Sequence, residues 1–305
     1  MIILGSKYKL TDFDRKHLRG IELIQISYAD KSPEQVIDEI ENILHKSKTK
    51  TIVLNTRAPI PDDLLKALTE LELQGVRFIS IEHFLENYLH KCYIPDDRSN
   101  IDYLDAIRPF TPWQYLQKRI IDYFIAIPLA FLSAPVMLYS AYRIKKESPD
   151  GPILYRQTRI GKHGKPFTCY KFRTMRTDIN YFNHYTQEND PRIFPWGKIM
   201  RTTRIDEIPQ LINVFRGEMH IIGPRAEWDK LVKKYENIWP YYHLRHLNAP
   251  GITGWAQVNY PYGKSIEDTR QKLMYDLYYI KNWNLWLEVK TIFKTFLVML
   301  GKRGL

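Results

Sequence analysis

A chain of 305 residues is long enough for two domains, each able to bury a core. Hydrophobic residues make up 44% and charged residues 26%, and the mean hydropathy of −0.39 argues against a bundle of membrane spans, leaving room for one apolar segment at most. The net charge of +11 is lopsided: residues 1–110 carry 15 Lys and Arg against 18 Asp and Glu, whereas residues 111–305 carry 30 against 16. Nucleic acid, or an anionic membrane surface together with phosphorylated substrates, would draw so basic a region. Cys92 and Cys169 lie far apart without a Cys or His beside them at ligand spacing, so neither a disulfide framework nor a zinc site is indicated, and a reducing cytosol fits. The start, MIILGSKYKLTD, does not show the basic and apolar regions of a signal peptide, and the bulk of the chain is expected on the cytoplasmic side.

The first elements alternate in type. Residues 21–27 (IELIQIS), 51–55 (TIVLN) and 76–81 (VRFISI) are predicted as buried strands, and residues 33–46 and 62–74 as amphipathic helices, the second stopped by Gly75. Strands alternating with helices predict a small α/β module with a parallel sheet over residues 1–95. Neither G-x-G-x-x-G nor G-K-[ST] occurs there, so docking or regulation suits it better than nucleotide binding. Periodicity then fades and Pro, Asp and Asn gather, which predicts a linker over residues 96–112.

Residues 120–142 (IIDYFIAIPLAFLSAPVMLYSAY) contain Asp122 as their one formal charge and match the roughly 20 residues that cross a bilayer core. Lys118 and Arg119 flank one end, Arg143, Lys145 and Lys146 the other, and the positive-inside tendency would keep both ends in the cytoplasm. Kinks at Pro128 and Pro135 would let a helix over about residues 116–143 dip into one leaflet and return. A buried core helix is the alternative. Asp122 so close to Arg119 is expected to pair with it, since a carboxylate in lipid needs a partner. Near the carboxyl end, Trp283, Trp286, Leu287, Val289, Ile292, Phe293, Phe296 and Leu297 make an apolar face broken by lysines, which fits an interfacial helix or a plain packing helix equally.

Between these segments, residues 151–175 (GPILYRQTRIGKHGKPFTCYKFRTM) interleave Arg156, Arg159, Lys162, Lys165, Lys171 and Arg173 with strand formers. They suit a phosphate cradle or a solvated basic face. Further on, RTTRIDEIPQLINVFRGEM places adjacent carboxylates, Asp206 and Glu207, just after Arg201 and Arg204. Alone, such a pair is more often a helix N-terminal feature than a catalytic one.

Taken in order, YKFRTM, RTTRIDEIPQLINVFRGEM, IIGPR and APGITGWAQVN resemble the bacterial sugar transferases, the monotopic phosphoglycosyl transferases. The resemblance covers residues 113–305 and implies an α+β membrane-associated catalytic domain with a re-entrant, kinked helix. By it, Asp206 is the nucleophile and Glu207 engages a magnesium ion, with Asp206 in the metal's reach. Lys171, Arg173, Arg201, Arg204 and Arg225 are implied as ligands of substrate phosphate, Pro224 standing beside the last. The family's helix is interrupted at Ser-Pro; here Ala134 precedes Pro135 and Ser133 is one residue earlier. The implied reaction moves a phospho-sugar from a UDP-sugar to polyprenyl (undecaprenyl) phosphate on the cytoplasmic face of the bacterial inner membrane, among its lipids, at the start of surface glycan synthesis. The first 95 residues are similar to a shortened Rossmann-like module of larger members, and a homodimer through it is a further expectation.

Two rivals remain in view. A nucleic-acid-binding protein would account for the basic half but not for the apolar stretch, so no nucleic-acid partner is expected. A silent membrane scaffold is opposed by the intact Asp206, Glu207, Arg201 and Arg225. Trp255 and Gln257 fit a structural turn as well as a substrate contact. The nine histidines show no metal spacing, and His220, His243 and His246 are read as structural or substrate-adjacent.

Overall fold

The computed structural model describes residues 1–46, 50–57, 59–95, 103–179, 190–261, 263 and 265–301. The chain divides into two units, Met1–Ile94 and Pro95–Leu305. Most of the expected linker, residues 96–102, and the last four residues of the expected catalytic domain lie outside the described residues.

The first unit holds a four-stranded parallel sheet of β1 (Ile2–Leu4), β2 (Ile24–Ile26), β3 (Thr51–Leu54) and β4 (Arg77–Ser80), in the order β2-β1-β3-β4. The three predicted strands are present, each shorter than its apolar run. The central strand β1 is an addition that three residues, IIL, were too few to announce. Parallel pairing needs crossovers, and helices α1 (Asp12–His17), α2 (Pro33–Lys46) and α3 (Asp62–Leu73) supply them. Helix α3 ends where Gly75 takes φ +89°, a conformation that is cheap without a Cβ. Val36 and Ile40 of α2 and Leu64, Leu68 and Leu71 of α3 pack on Ile2, Leu4, Ile26 and Ile52, so the sheet core is aliphatic. Helix α4 (Ile81–Phe84) runs into a π-helical turn, Leu85–Leu89. Beyond that turn Lys91 is fully buried, its ammonium 2.5 Å from Asp14 Oδ1 and 2.8 Å from Tyr8 Oη, while Tyr8 donates to Asp14 Oδ2 at 2.9 Å. Each buried charge here meets an opposite one and a hydroxyl.

The second unit opens with the short helix α5 (Tyr103–Ala106) and then α6 (Pro112–Glu147), 36 residues or about 54 Å long. Thr111 and Gln114 form a capping box and Pro112 sits in the first turn, where it needs no amide donor. The helix runs unbroken across Pro128 and Pro135. Ser133 Oγ donates to Ala130 O at 3.3 Å, so a hydroxyl-to-backbone bond exists here although Ser133 is not adjacent to Pro135. The burial pattern of α6 is inverted. Lys118, Asp122, Ser133 and Ser140 are buried, whereas Phe124, Phe131, Leu132 and Leu138 are each at least 75% exposed. The helix is long and apolar enough to cross a membrane, and its exposed apolar surface removes the core-helix alternative.

The hairpin of β5 (Leu154–Ile160) and β6 (Pro166–Phe172) is antiparallel, with Lys171 opposite Tyr155. Helix α7 (Pro195–Thr203) leads through a 3-10 segment, Ile205–Gln210, into α8 (Leu211–Phe215). Asn213 stitches α8 to β6: its amide donates to Thr168 O at 2.7 Å and accepts from Tyr170 N at 3.2 Å. Strand β7 (His220–Ile222) pairs in parallel with β8 (Gly251–Thr253), and α9 (Asp229–Ile238) and a 3-10 turn, Tyr242–His246, lie between them. The last helices are α10 (Trp255–Asn259), α11 (Ile266–Lys281) and α12 (Leu285–Met299). This mixture of helices and short strands is the expected α+β unit.

A buried ion pair joins α6 to α12, Lys118 Nζ standing 2.7 Å from Glu288 Oε2. Glu288 Oε1 also accepts from Trp283 Nε1 at 2.6 Å and from the Tyr279 hydroxyl. Trp283 and Leu287 of the predicted apolar face turn inward, while Trp286, Val289, Phe293 and Phe296 stay exposed. Asp122 meets Arg119 Nη1 at 3.3 Å as expected, yet its closer partners are His220 Nδ1 at 2.5 Å and the Ile221 amide at 2.8 Å. His220 is thereby structural, tying α6 to β7.

Candidate active site

The carboxylate pair lies on the 3-10 segment after α7, and the joint is a conformational exception. Arg204 caps α7 with φ +62° and ψ 13°, the left-handed region that non-glycine residues seldom adopt. Its carbonyl then accepts from Glu207 N at 3.1 Å, so Asp206 and Glu207 are held in a single tight turn. Helix α7 approaches the end of the β5–β6 hairpin closely because a Cβ on Gly197 would stand 2.4 Å from Thr174 O. That approach lets Arg201 Nε donate to Thr174 Oγ1 at 2.8 Å.

Two cations from other elements converge on Glu207. Lys171 on β6 reaches Oε1 at 2.6 Å, and Arg225, three residues beyond β7, reaches it at 3.5 Å. Burial alone would raise the Glu207 pKa. The charges of Arg225 and Lys171, the Lys171 hydrogen bond and Arg204 outweigh it and bring the value to about 2. Asp206 moves the other way: burial and the Glu207 charge raise its pKa, against the pull of Lys171, Arg201 and Arg204. Its Oδ1 is buried and accepts no hydrogen bond among the described residues. Such an oxygen is costly unless a ligand uses it.

Arg225 is placed by glycine. A Cβ on Gly251 would lie 2.1 Å from Gly223 N, and one on Gly254 would lie 2.0 Å from Gly223 O. The IIGPR and GITGW segments therefore touch backbone to backbone, through Gly223 N to Thr253 O at 2.9 Å and Gly251 N to Pro224 O at 2.9 Å. The glycines of GITGW are required by packing. Trp255 is fully buried beneath the ammonium groups of Lys290 and Lys294, so it is a core residue, while Gln257 donates to Ile252 O at 3.2 Å.

Of the predicted site residues, Lys171, Arg201, Arg204 and Arg225 surround the carboxylates and Arg173 does not. The Arg173 guanidinium is buried and gives its protons to Pro152 O at 2.6 Å, Ser148 Oγ at 2.6 Å, Ser148 O at 2.5 Å and Met175 O at 3.0 Å. Gly151 makes room for it, since a Cβ there would fall 2.7 Å from Arg173 Cζ. Arg173 locks the end of α6 to β6, with four of its five N–H protons committed to protein oxygens. Arg159, named in the basic block but not among the implied phosphate ligands, lines a small cleft with Cys169, Lys171, Gln210 and Arg225, and it donates to Ala226 O at 3.0 Å. Its place inside the basic block was the available signal.

Chemically, the site is an anionic pair of unlike acidity inside a ring of cations. Two adjacent carboxylates, one firmly ionised and one with an unpartnered oxygen, make an all-oxygen donor set that fits a magnesium ion. The cations fit phosphate oxygens.

A cation-ringed carboxylate site in an α+β unit with one long exposed apolar helix defines the class. The chain belongs to the bacterial sugar transferase family, whose model matches residues 113–302. It is 40% identical over 209 residues to a UDP-N-acetylgalactosamine-undecaprenyl-phosphate N-acetylgalactosaminephosphotransferase of Aeromonas hydrophila, covering 68% of this chain and 49% of that one. It is 39% identical over 191 residues to a UDP-glucose:undecaprenyl-phosphate glucose-1-phosphate transferase of Escherichia coli strain K12, covering 61% and 41%. An exopolysaccharide production protein of Rhizobium leguminosarum bv. phaseoli is 40% identical over 185 residues, covering 58% and 92%. The chain thus spans half or less of the first two relatives and most of the third.

Proposed function

We propose that the protein transfers a phospho-sugar from a UDP-sugar to polyprenyl phosphate, the first membrane step of a surface glycan. The observation that carries this reading is the buried, unpartnered Oδ1 of Asp206 beside an ionised Glu207 held by Lys171 and Arg225. The names of the Aeromonas and Escherichia relatives support the substrate class.

Asp206 attacks the sugar-bearing phosphorus; the new bond joins its carboxylate oxygen to phosphorus, and the bond to UMP breaks with the electron pair leaving on UMP. A phosphate oxygen of the polyprenyl carrier then attacks the same phosphorus, the aspartyl bond breaks, and the carboxylate returns. Lys171, Arg201, Arg204 and Arg225 bind and orient the diphosphate and offset the charge of the transferring group. Asp206 and Glu207 would hold magnesium, which supplies charge neutralisation at the phosphate oxygens. The raised Asp206 pKa keeps the nucleophile basic, and the low one of Glu207 keeps its charge fixed.

A carrier whose phosphate lies at headgroup level requires a site at the membrane surface. The exposed apolar residues of α6 and of α12 support an association with the inner membrane on its cytoplasmic face; entry and exit of α6 by the same leaflet, a further part of the proposal, requires a bend at Pro128 or Pro135, across which the helix here runs unbroken. A homodimer through the first unit completes the proposal, and a monomer at working concentration would remove it. The test is UMP release from a panel of UDP-sugars with undecaprenyl phosphate in detergent or vesicles. One sugar should support release and leave a mass adduct on the Asp206 peptide when the carrier is withheld. Release without such an adduct, or an adduct elsewhere, would overturn the covalent route, and no release with any sugar would overturn the activity.

A further inference from the structure

Glu236, His243 and His246 come together although their spacing in the sequence suggests nothing of the kind. Each offers one ligand atom, and the three atoms lie within 4.8 Å of one another. The geometry follows from the local fold. A 3-10 helix has three residues per turn, so His243 and His246 on the Tyr242–His246 turn lie on one face. Ring contacts fix that turn against the end of α9: Tyr235 meets Tyr242 at 5.5 Å and Tyr242 meets His246 at 5.9 Å. Glu236, in the last turn of α9, is thereby brought to His243, Oε1 to Nε2 at 3.1 Å.

A surface carboxylate beside a histidine is common and carries nothing by itself. The third residue decides. His246 is 7% exposed, and neither of its ring nitrogens has a hydrogen-bond partner among the described residues. A buried imidazole with both nitrogens idle is rare in folded proteins. Nearby Arg245 gives it nothing, because that guanidinium is turned to Asp276 at 2.7 Å, Tyr242 Oη at 2.9 Å and Arg225 O at 3.0 Å.

We propose that Glu236, His243 and His246 bind a divalent transition-metal ion of the zinc class. Two imidazoles and a carboxylate are a donor set that zinc takes with bonds of about 2.0–2.2 Å, which sets tetrahedral ligand atoms about 3.3 Å apart. The Glu236–His243 pair already has that separation, at 3.1 Å, and the His246 ligand atom lies within 4.8 Å of both. The exposed flank of His243 leaves the fourth position to water. Imidazole ligands separate this ion from magnesium, which prefers oxygen alone. The metal would fasten the turn that carries Arg245, and through the Arg245 bond to the Arg225 carbonyl it would steady one wall of the carboxylate site. The inference does not rest on the transfer reaction.

The test uses the full chain in detergent, stripped with chelator, titrated with zinc and separately with cobalt, then freed of unbound ion and assayed for metal content. The intact chain should retain one zinc ion, and its cobalt form should absorb in the visible as a tetrahedral site. His243→Ala removes an exposed ligand and Glu236→Gln a partly buried one, with a thermal melt of each variant to check its fold, and each should weaken zinc binding by at least about 100-fold, no less than the loss of an outer-shell partner. Asp206→Asn should retain zinc fully, whatever it does to UMP release. Failure of the intact chain to hold zinc, unchanged affinity in both ligand variants, or loss of zinc in Asp206→Asn would each overturn the proposal.

Discussion

In the first unit the buried charges of Asp14 and Lys91 answer each other and Tyr8, whereas in the second unit buried polar atoms are left over. Among the described residues, all eight buried side-chain nitrogens and oxygens without a hydrogen-bond partner belong to Pro95–Leu305, at Ser140, Trp196, Asp206, His220, His246, Asn248 and Gln257. A unit whose polar groups close on themselves is complete as a fold. The second unit leaves an aspartate oxygen among cations, and both nitrogens of a histidine, without a protein partner among the described residues.

The widest contrast should come from removing the charge of the stranded carboxylate. Asp206→Asn is expected to cut UMP release by roughly 10⁴-fold or more while leaving the thermal midpoint in place, measured by single-turnover assay and calorimetry. A variant with near-normal release would mean that the leftover oxygen is no nucleophile. Next come the satisfied pairs. Glu288→Ala strands Lys118, and Asp14→Ala strands Lys91; each should cost its own unit about 3–5 kcal/mol in denaturant unfolding, because an unpaired buried charge remains. Replacing both members of a pair by Met and Leu should restore much of that loss. Gly251→Ala should follow, at about 1–3 kcal/mol, since its methyl group would press on Gly223 N, and it should also slow UMP release by displacing Arg225.

The smallest effect concerns pH. Lys294 donates to Asn259 Oδ1 and lies 4.9 Å from the Trp255 ring, and burial, helped by Lys290, brings its pKa down to about 8. The unfolded chain keeps that proton up to about pH 10.4. Between these values the unfolded state binds more protons, so stability rises with pH across the window and is least favoured by this group below pH 8. Partial exposure of Lys294 weakens the slope. Urea midpoints taken from pH 7.5 to 10 should rise less in Lys294→Met than in the parent chain.

Much of the second unit's site was legible because its residues cluster in four contiguous motifs, and the same holds for helices α2 and α3 with their periodic apolar faces. The misses have physical reasons. Strand β1 is three residues long, which is too short for any period to register. Arg173 and Lys171 look alike in a basic strand, and what separates them is a hole in the backbone at Gly151 that admits one guanidinium. The pairing of β7 with β8 spans α9 and a 3-10 turn, and it depends on glycines whose need appears only when two backbones meet. The Glu236–His243–His246 group was invisible because i, i+3 spacing brings side chains together in a 3-10 turn and nothing in YHLRH announces one.

The ion pair between α6 and α12 also bears on how the chain is made. Lys118 and Glu288 are 170 residues apart, so at a synthesis rate of about 5–20 residues per second Lys118 emerges roughly 10–30 s before its partner exists. During that interval the Lys118 ammonium has no Glu288 carboxylate to answer it. A nascent chain stopped short of Glu288 would leave Lys118 without its carboxylate partner.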